Sequence, residues 1–248
     1  MKKILIGILF SLVAFIANAD EASLLKNLKE RYPNYKIKVW GPMPKPELKG
    51  FYEVSFNYKH LIAHESGRYL ITDDIYDEDT DFHLLRKLRD DRMPELAEEE
   101  IAKLRESDFI TFNTTSDKIG TLYVFTDLSC YGCEIHWEVA ELQEGGVEVK
   151  YIASPYDKEG YEKSKQVMCA DDRKKAITEL KAGIDEGKYV KQHYNEECVE
   201  SIIRGREAAR DIGFRSPPFY YLSTGVIRRV SHYDARDIIK IFTMANKK

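Results

Sequence analysis

Cysteine is scarce in this sequence, which has four cysteines, two tryptophans and six histidines in 248 residues. After residue 19 there is no apolar run of about 20 residues, the length that a helix needs to cross a bilayer. The 38 basic and 42 acidic side chains are well mixed and give a net charge of −4. These features argue against later membrane spans and against nucleic acid as a partner, because nucleic-acid binding needs a basic surface. A chain of this length can also bury an adequate core without disulfide staples.

The first 19 residues form the strongest apolar segment. A positive start, "MKK", precedes the apolar run "ILIGILFSLVAFI", and "ANA" at residues 17–19 fits a signal-peptidase site. The pattern predicts a secretory signal peptide over residues 1–19, with an uncleaved membrane anchor as the alternative. Export is important for the cysteines, since disulfides persist outside the cytosol.

Residues 20–77 predict a small α+β domain. A short amphipathic helix is followed by "FYEVSFNY" (51–58), in which apolar and polar residues alternate. The alternation predicts a strand with one buried face and one face in water, with Glu53, Ser55 and Asn57 on the wet side. Fewer than 60 residues make a thin core, and such a unit often gains stability by pairing with a copy of itself.

Residues 78–106 are rich in charge and have helical spacing, which Pro94 should interrupt. They predict a solvated helical linker; the alternative is a surface helix of a single domain. Residues 107–248 then predict an α/β domain. The strands 121–126 and 147–153 flank a helix, as in a parallel βαβ unit, and a mostly helical stretch covers about 157–212.

Cys130 and Cys133, in "TDLSCYGCEIHWE", lie where an apolar strand meets this helix. A helix that begins at Cys130 would favour its thiolate, and Cys133 would lie one turn further on. A c-type haem would need histidine at position 134, which is glutamate, and zinc lacks a second ligand pair. A structural bridge stays open, but the location favours a redox pair that needs no metal and no cofactor beyond the Cys130–Cys133 disulfide itself.

The other two cysteines, Cys169 and Cys198, lie in the helical stretch. In an exported protein they predict a structural disulfide.

These segments resemble the periplasmic thiol:disulfide isomerases of the DsbC/DsbG family. "VFTDLSCYGCEIHWE" is similar to the family's active-site segment, and "CADDRKKA" is similar to the segment around its structural disulfide. "GRYLITDDIYD" resembles the end of its N-terminal dimerisation domain, and "GFRSPPFYYLSTG" resembles its cis-proline loop. The resemblance covers roughly residues 20–245.

The resemblance implies a cystatin-like N-terminal domain that forms a homodimer through residues 20–77, a helical linker and a thioredoxin-fold catalytic domain with a helical insertion. It implies a periplasmic location, misoxidised exported proteins as substrates and a DsbD-like membrane reductase as partner. A DsbG-like chaperone or sulfenic-acid reductase, a disulfide oxidase on the same scaffold, and a binding module without turnover are the alternatives.

The resemblance also suggests roles for individual residues. Pro218 would be the cis-proline, with Pro217 as the fallback. Asp127 is a candidate proton acceptor for Cys133, although a turn or N-cap role is the alternative. Tyr131 would contact substrate, as would Pro217 in the position before the cis-proline.

Other residues near the motif have less specific expectations. His136 should pack or lie on the surface, and Trp137 should lie in the core. Two departures from the family concern Tyr131-Gly132, where the family usually has Gly-Tyr, and Pro217, which replaces a threonine. The reduction potential and the contact offered to substrate are therefore open.

Overall fold

The computed structural model describes residues 20–128, 130, 134–183, 195–214, 217–228 and 234–247. The predicted signal peptide lies outside these ranges. Contacts within the chain divide it into two units that meet between Arg92 and Met93. This division falls inside the predicted linker, and the predicted boundaries at residues 77 and 107 stay predictions.

The first unit is a helix packed on an antiparallel sheet. Its helix α1 covers residues 20–31, and Leu24 and Leu28, one turn apart, are completely buried against the sheet. The sheet has four strands in chain order. They are β1 (Ile37–Pro42), β2 (Phe51–Phe56), β3 (Lys59–His64) and β4 (Leu70–Ile71), followed by a separate hairpin of β5 (Tyr76–Asp77) and β6 (Phe82–His83).

The predicted wet face of β2 is wrong. Glu53 and Ser55 are buried, and the strand ends at Phe56 because Asn57 has a φ of 54° and begins the turn into β3. Tyr58, expected in the strand, lies in this turn and is exposed. Both faces of β2 are therefore covered.

Glu53 and Ser55, the buried polar residues of β2, have hydrogen-bond partners. Arg92 donates to both carboxylate oxygens of Glu53, with a shortest distance of 2.9 Å. His60 Nδ1 lies 3.5 Å from the same carboxylate. The indole N–H of Trp40 donates to Ser55 Oγ at 3.1 Å. A polar residue on a strand thus becomes internal where a later helix supplies its counterion.

Helix α2 (Leu84–Ile101) is continuous, so the predicted interruption at Pro94 is wrong. A proline removes one backbone hydrogen bond, but apolar side chains on both sides of it are buried. Leu84, Leu85 and Leu88 pack in the first unit, while Met93, Ala97 and Ile101 pack in the second. The helical prediction is therefore confirmed for this segment, whereas its solvation is not.

The second unit has a five-stranded sheet between two helical layers. The order is β11-β10-β8-β9-β7, and β8 and β9 are parallel, which confirms the predicted βαβ unit. Helix α3 (Val139–Glu144) connects them. The strands are β7 (Phe109–Phe112), β8 (Gly120–Thr126), β9 (Val147–Ala153), β10 (Phe219–Leu222) and β11 (Ile227–Arg228).

Both faces of β8 are apolar because helices cover both faces. Leu122 and Val124 pack in the core with α3, α5 and α7, whereas Phe125 packs in a second core with α6. Gly205 lets α6 approach β9, since a Cβ there would lie 2.4 Å from the carbonyl oxygen of Ala153. The remaining helices are α4 (Lys158–Met168), α5 (Arg173–Lys181), α6 (Glu196–Ile212) and α7 (Ala235–Ala245).

Among these described helices, none combines the length and apolar character that a membrane span requires.

Candidate active site

Cys130 follows the end of the central strand β8. Its backbone N–H donates to the carbonyl oxygen of Asp127 at 2.9 Å, which closes a tight turn after the strand. The residue is half-buried, and its sulfur is engaged in a disulfide. The loop after the central strand therefore places a disulfide-bonded sulfur at the C-terminal end of β8.

Two predicted site residues lie outside the described ranges. These are Tyr131 and Cys133, so the predicted contact of Tyr131 with substrate and the resolving role of Cys133 stay predictions. The predicted helix start at Cys130 also falls partly there. The described helical structure begins with a 3-10 turn at Glu134–Glu138, and α3 has six residues.

Asp127 is buried beneath this turn. Its carboxylate accepts a hydrogen bond from the backbone N–H of Tyr156 at 3.1 Å. Gly160, in the first turn of α4, leaves room for the carboxylate, because a Cβ at this position would lie 2.0 Å from Oδ2. Asp127 therefore closes the turn through its backbone and holds the neighbouring loop through its side chain. Its proposed proton transfer with Cys133 is a separate prediction.

Lys181 is a site residue that the sequence analysis missed. It is the last residue of α5 and is buried, and its Nζ donates to the carbonyl oxygen of Cys130 at 2.5 Å. Burial lowers the pKa of this lysine to about 8, while the Asp127 carboxylate acts in the opposite direction. The contact joins residues 51 positions apart, and a lysine in a charged helical stretch gives no sequence signal for it.

His136 and Trp137 have different environments from each other. His136 is buried, and its Nδ1 lies 3.3 Å from the hydroxyl of Tyr151. Burial, helped by the Lys181 charge, lowers the pKa of His136 to about 4, so its ring is neutral near pH 7. The packing role expected for His136 is confirmed. The core position expected for Trp137 is wrong, since this side chain is 58% exposed.

The proline pair lies beside the end of β8. The peptide bond between Pro217 and Pro218 is cis, and both residues are half-buried. Strand β10 begins directly after them, and its first residue, Phe219, pairs with Phe125 of β8. Antiparallel pairing continued by one residue brings Pro218 level with Thr126, four positions before Cys130. The topology therefore brings the predicted proline loop and the predicted cysteine loop to the same end of the sheet.

A cavity of about 510 Å³ opens beside this loop. Its wall includes Pro217 and the exposed ring of Tyr156, the residue whose backbone N–H binds Asp127. Phe125, Phe214 and Phe219 supply apolar surface, and α6 contributes Ile203, Arg206 and Arg210.

Cys169 and Cys198 form a disulfide with a Cα–Cα distance of 5.2 Å. Cys169 ends α4, and Cys198 lies in the first turn of α6. The bond therefore joins two helices of the insertion.

Within the described part of the chain, there is no group of three or more histidine, cysteine or acidic side chains suited to a metal ion.

Comparison with known proteins identifies the chain's relatives. No protein-family model matches it. It is 26% identical over 189 residues to "Thiol:disulfide interchange protein DsbC" of Escherichia coli K12, with 71% of this chain and 72% of the relative covered.

Solved structures are similar in fold. A linker-deletion mutant of Proteus mirabilis ScsC has a TM-score of 0.53 at 13% identity, covering 66% of this chain and 87% of that chain. The catalytic domain of the same ScsC has a TM-score of 0.50 at 14% identity, covering 62% and 99%. The chain is therefore similar to a DsbC thiol:disulfide interchange protein over most of its length, has a thioredoxin-like α/β fold, and is an enzyme of the thiol-disulfide oxidoreductase class.

Proposed function

We propose that this protein isomerises or reduces non-native disulfides of exported proteins, with Cys130 as the nucleophile. The observation that carries the proposal is the placement of Cys130 after the central strand, at the end of the sheet where the cis Pro217–Pro218 bond also lies. This arrangement supports a sulfur that is accessible to another chain. The similarity to the thiol:disulfide interchange protein DsbC favours the same chemistry.

The isomerase cycle conserves electrons. The Cys130 thiolate attacks a substrate disulfide, forms a mixed disulfide with one substrate sulfur and releases the other as a thiolate. A different substrate thiolate then attacks the mixed disulfide, which forms the new substrate bond and regenerates the Cys130 thiolate. If Cys133 attacks first, the substrate leaves as a dithiol and the enzyme becomes oxidised. This second route needs an external dithiol reductant, for which a DsbD-like membrane reductase is the proposed partner.

The substrate is proposed to be a polypeptide in an extended conformation. Neither Pro217 nor Pro218 has a backbone N–H, so the proline pair can offer carbonyl oxygens but no backbone donors to such a chain. The adjacent cavity combines three phenylalanines with Arg206 and Arg210 at its wall. Apolar surface with a polar rim suits side chains that a misfolded protein exposes.

The proposed cellular context follows from the sequence and the relatives. Residues 1–19 would direct export to the periplasm, where disulfides are stable. Residues 20–77 would pair two copies of the chain as a homodimer, and residues 78–106 would be the linker. Each of these is a proposal independent of the Cys130 geometry and can be tested separately.

The test is reactivation of a substrate with scrambled disulfides. Residues 20–248 and its Cys130→Ser variant are compared in a glutathione buffer, with Cys169→Ser/Cys198→Ser as the control that keeps the active-site cysteines. Recovery by the wild type and the control, but not by Cys130→Ser, supports the proposal. If the wild type oxidises a reduced substrate but does not reshuffle a scrambled one, the function is that of an oxidase. If it reduces only sulfenic acids, the function is the DsbG-like alternative.

A further inference from the structure

We propose that Lys181 is a positioning residue for the thiol–disulfide reaction, which holds the Cys130 loop through its carbonyl oxygen and places a positive charge beside the nucleophile. The inference rests on the proposed function in that Cys130 is taken as the attacking sulfur. It assigns a role in this chemistry to the helical insertion, which otherwise covers the core.

The packing and the N-terminal cap of helix α5 hold Lys181 in position for this contact. Lys181 ends helix α5, whose Ile177 and Leu180 are buried in the main core of the second unit. At the other end of α5, the Asp172 side chain caps the helix by accepting the N–H of Lys175 at 3.0 Å. A buried, capped helix therefore presents one ammonium group to one carbonyl oxygen, that of Cys130.

Burying a lysine lowers the stability of a protein unless its charge interacts favourably with a partner. Taking an ammonium group out of water carries a large desolvation penalty, and a leucine or methionine at this position could fill the same space without it. The groups that act on the Lys181 charge are Asp127, which favours the protonated amine, and His136, whose pKa the amine lowers. Burial lowers the pKa of Lys181 to about 8, which leaves the protonated amine as the main form at pH 7.

The positive charge of Lys181 should affect the oxidised and the reduced protein differently. The ammonium binds the carbonyl oxygen of the residue whose own sulfur is neutral in the disulfide and becomes a thiolate on reduction. Lys181 should therefore lower the pKa of the Cys130 thiol and stabilise the reduced form, which makes the protein a stronger oxidant. By reciprocity, reduction of the disulfide should raise the pKa of Lys181.

The first experiment measures alkylation of Cys130 by iodoacetamide as a function of pH in the reduced protein. Lys181→Met should lower the rate at pH 6 about three- to tenfold, because less of the thiol is ionised. Lys181→Arg, which keeps the charge, should restore most of the rate. Lys175→Met is the matched control, since it removes the same charge from the same helix at an exposed position and should leave the rate unchanged.

A second readout separates charge from structure. The reduction potential against glutathione should fall in Lys181→Met, while Lys181→Arg and Lys175→Met stay close to the wild type. A purely structural role would lower thermal stability without moving the pH profile or the potential. Equal alkylation profiles in the wild type and a folded Lys181→Met protein would overturn the inference.

A measurement on the wild type covers the case in which Lys181→Met does not fold. The Lys181 side chain is titrated by NMR through its Cε resonance in the oxidised and reduced proteins. A higher pKa in the reduced protein supports the inference, and identical pKa values overturn it. The outcome is independent of the scrambled-substrate assay, so a charge coupling without isomerase activity would remove the proposed function and leave the Lys181 inference intact.

Discussion

Gly160 leaves the space that the carboxylate of Asp127 occupies. Oδ2 of Asp127 would lie 2.0 Å from a Cβ at position 160, far inside contact distance, so a side chain there and the observed carboxylate position are incompatible. The close approach of the first turn of α4 to the end of β8 therefore depends on the glycine at position 160. This close approach keeps Asp127 near the backbone N–H of Tyr156 and beneath the Cys130 turn.

Gly160→Ala should destabilise the protein by about 1–3 kcal/mol, because either the helix or the carboxylate must move. Urea unfolding measures the loss. The control is a double-mutant cycle with Asp127→Ala, which removes the carboxylate. The alanine at position 160 should cost much less in that background. Equal costs in the two backgrounds would mean that Asp127 does not limit the space at position 160.

Cys169→Ser/Cys198→Ser should lower the free energy of unfolding by about 2–4 kcal/mol, since the bond closes a long loop in the unfolded chain. Disulfide reshuffling at 25 °C should persist because the bond joins α4 to α6 and lies outside the Cys130 turn. Chemical denaturation and the scrambled-substrate assay test the two statements. Loss of activity in a variant that is still folded would contradict the assignment of a structural role.

Arg92→Met should destabilise the first unit by about 1–3 kcal/mol, because it leaves the Glu53 carboxylate buried without its bidentate partner. Arg89→Met is the control: it removes a pair whose carboxylate, Asp90, is exposed and can be solvated, so it should cost less than about 1 kcal/mol. Urea unfolding followed by the fluorescence of Trp40 reports the difference. Equal costs for the two variants would contradict the structural role given to Glu53.

The same buried pair predicts a pH dependence. Hydrogen bonds and charge from His60 and Arg92 outweigh burial and hold the pKa of Glu53 below its usual value of 4.5. The stabilisation is therefore present above pH 4.5 and is lost as the pH falls through the lower, folded pKa. The wild type should lose more stability between pH 5 and about pH 3 than a Glu53→Gln variant does. Parallel losses would show that Glu53 does not contribute.

Trp137→Ala should change the free energy of unfolding by less than about 0.5 kcal/mol, because the side chain is exposed. Phe125→Ala is the contrast, because the Phe125 ring of β8 is buried in the second core. It should cost about 3–5 kcal/mol. Thermal and urea unfolding compare them. A large cost for Trp137→Ala would indicate that this ring is buried in the protein in solution.

The sequence by itself determined the order of elements and the position of Cys130 directly after the central strand. Strong local patterns made this possible: the uninterrupted apolar strand at 121–126, the following strand at 147–153, and a cysteine pair at the end of the first. The proline pair and the helical cysteines also carry local signals, because proline and cysteine are rare residues with few structural roles.

Only the tertiary structure decided which polar residues are internal. Glu53 follows the alternation of a solvated strand face, and its burial depends on Arg92, 39 residues away. Lys181 has the appearance of a surface lysine until α5 folds against the Cys130 turn. Trp137 is apolar and still lies outside. Periodicity reports which side of an element a residue occupies, whereas the element that covers that side is set by contacts between distant parts of the chain.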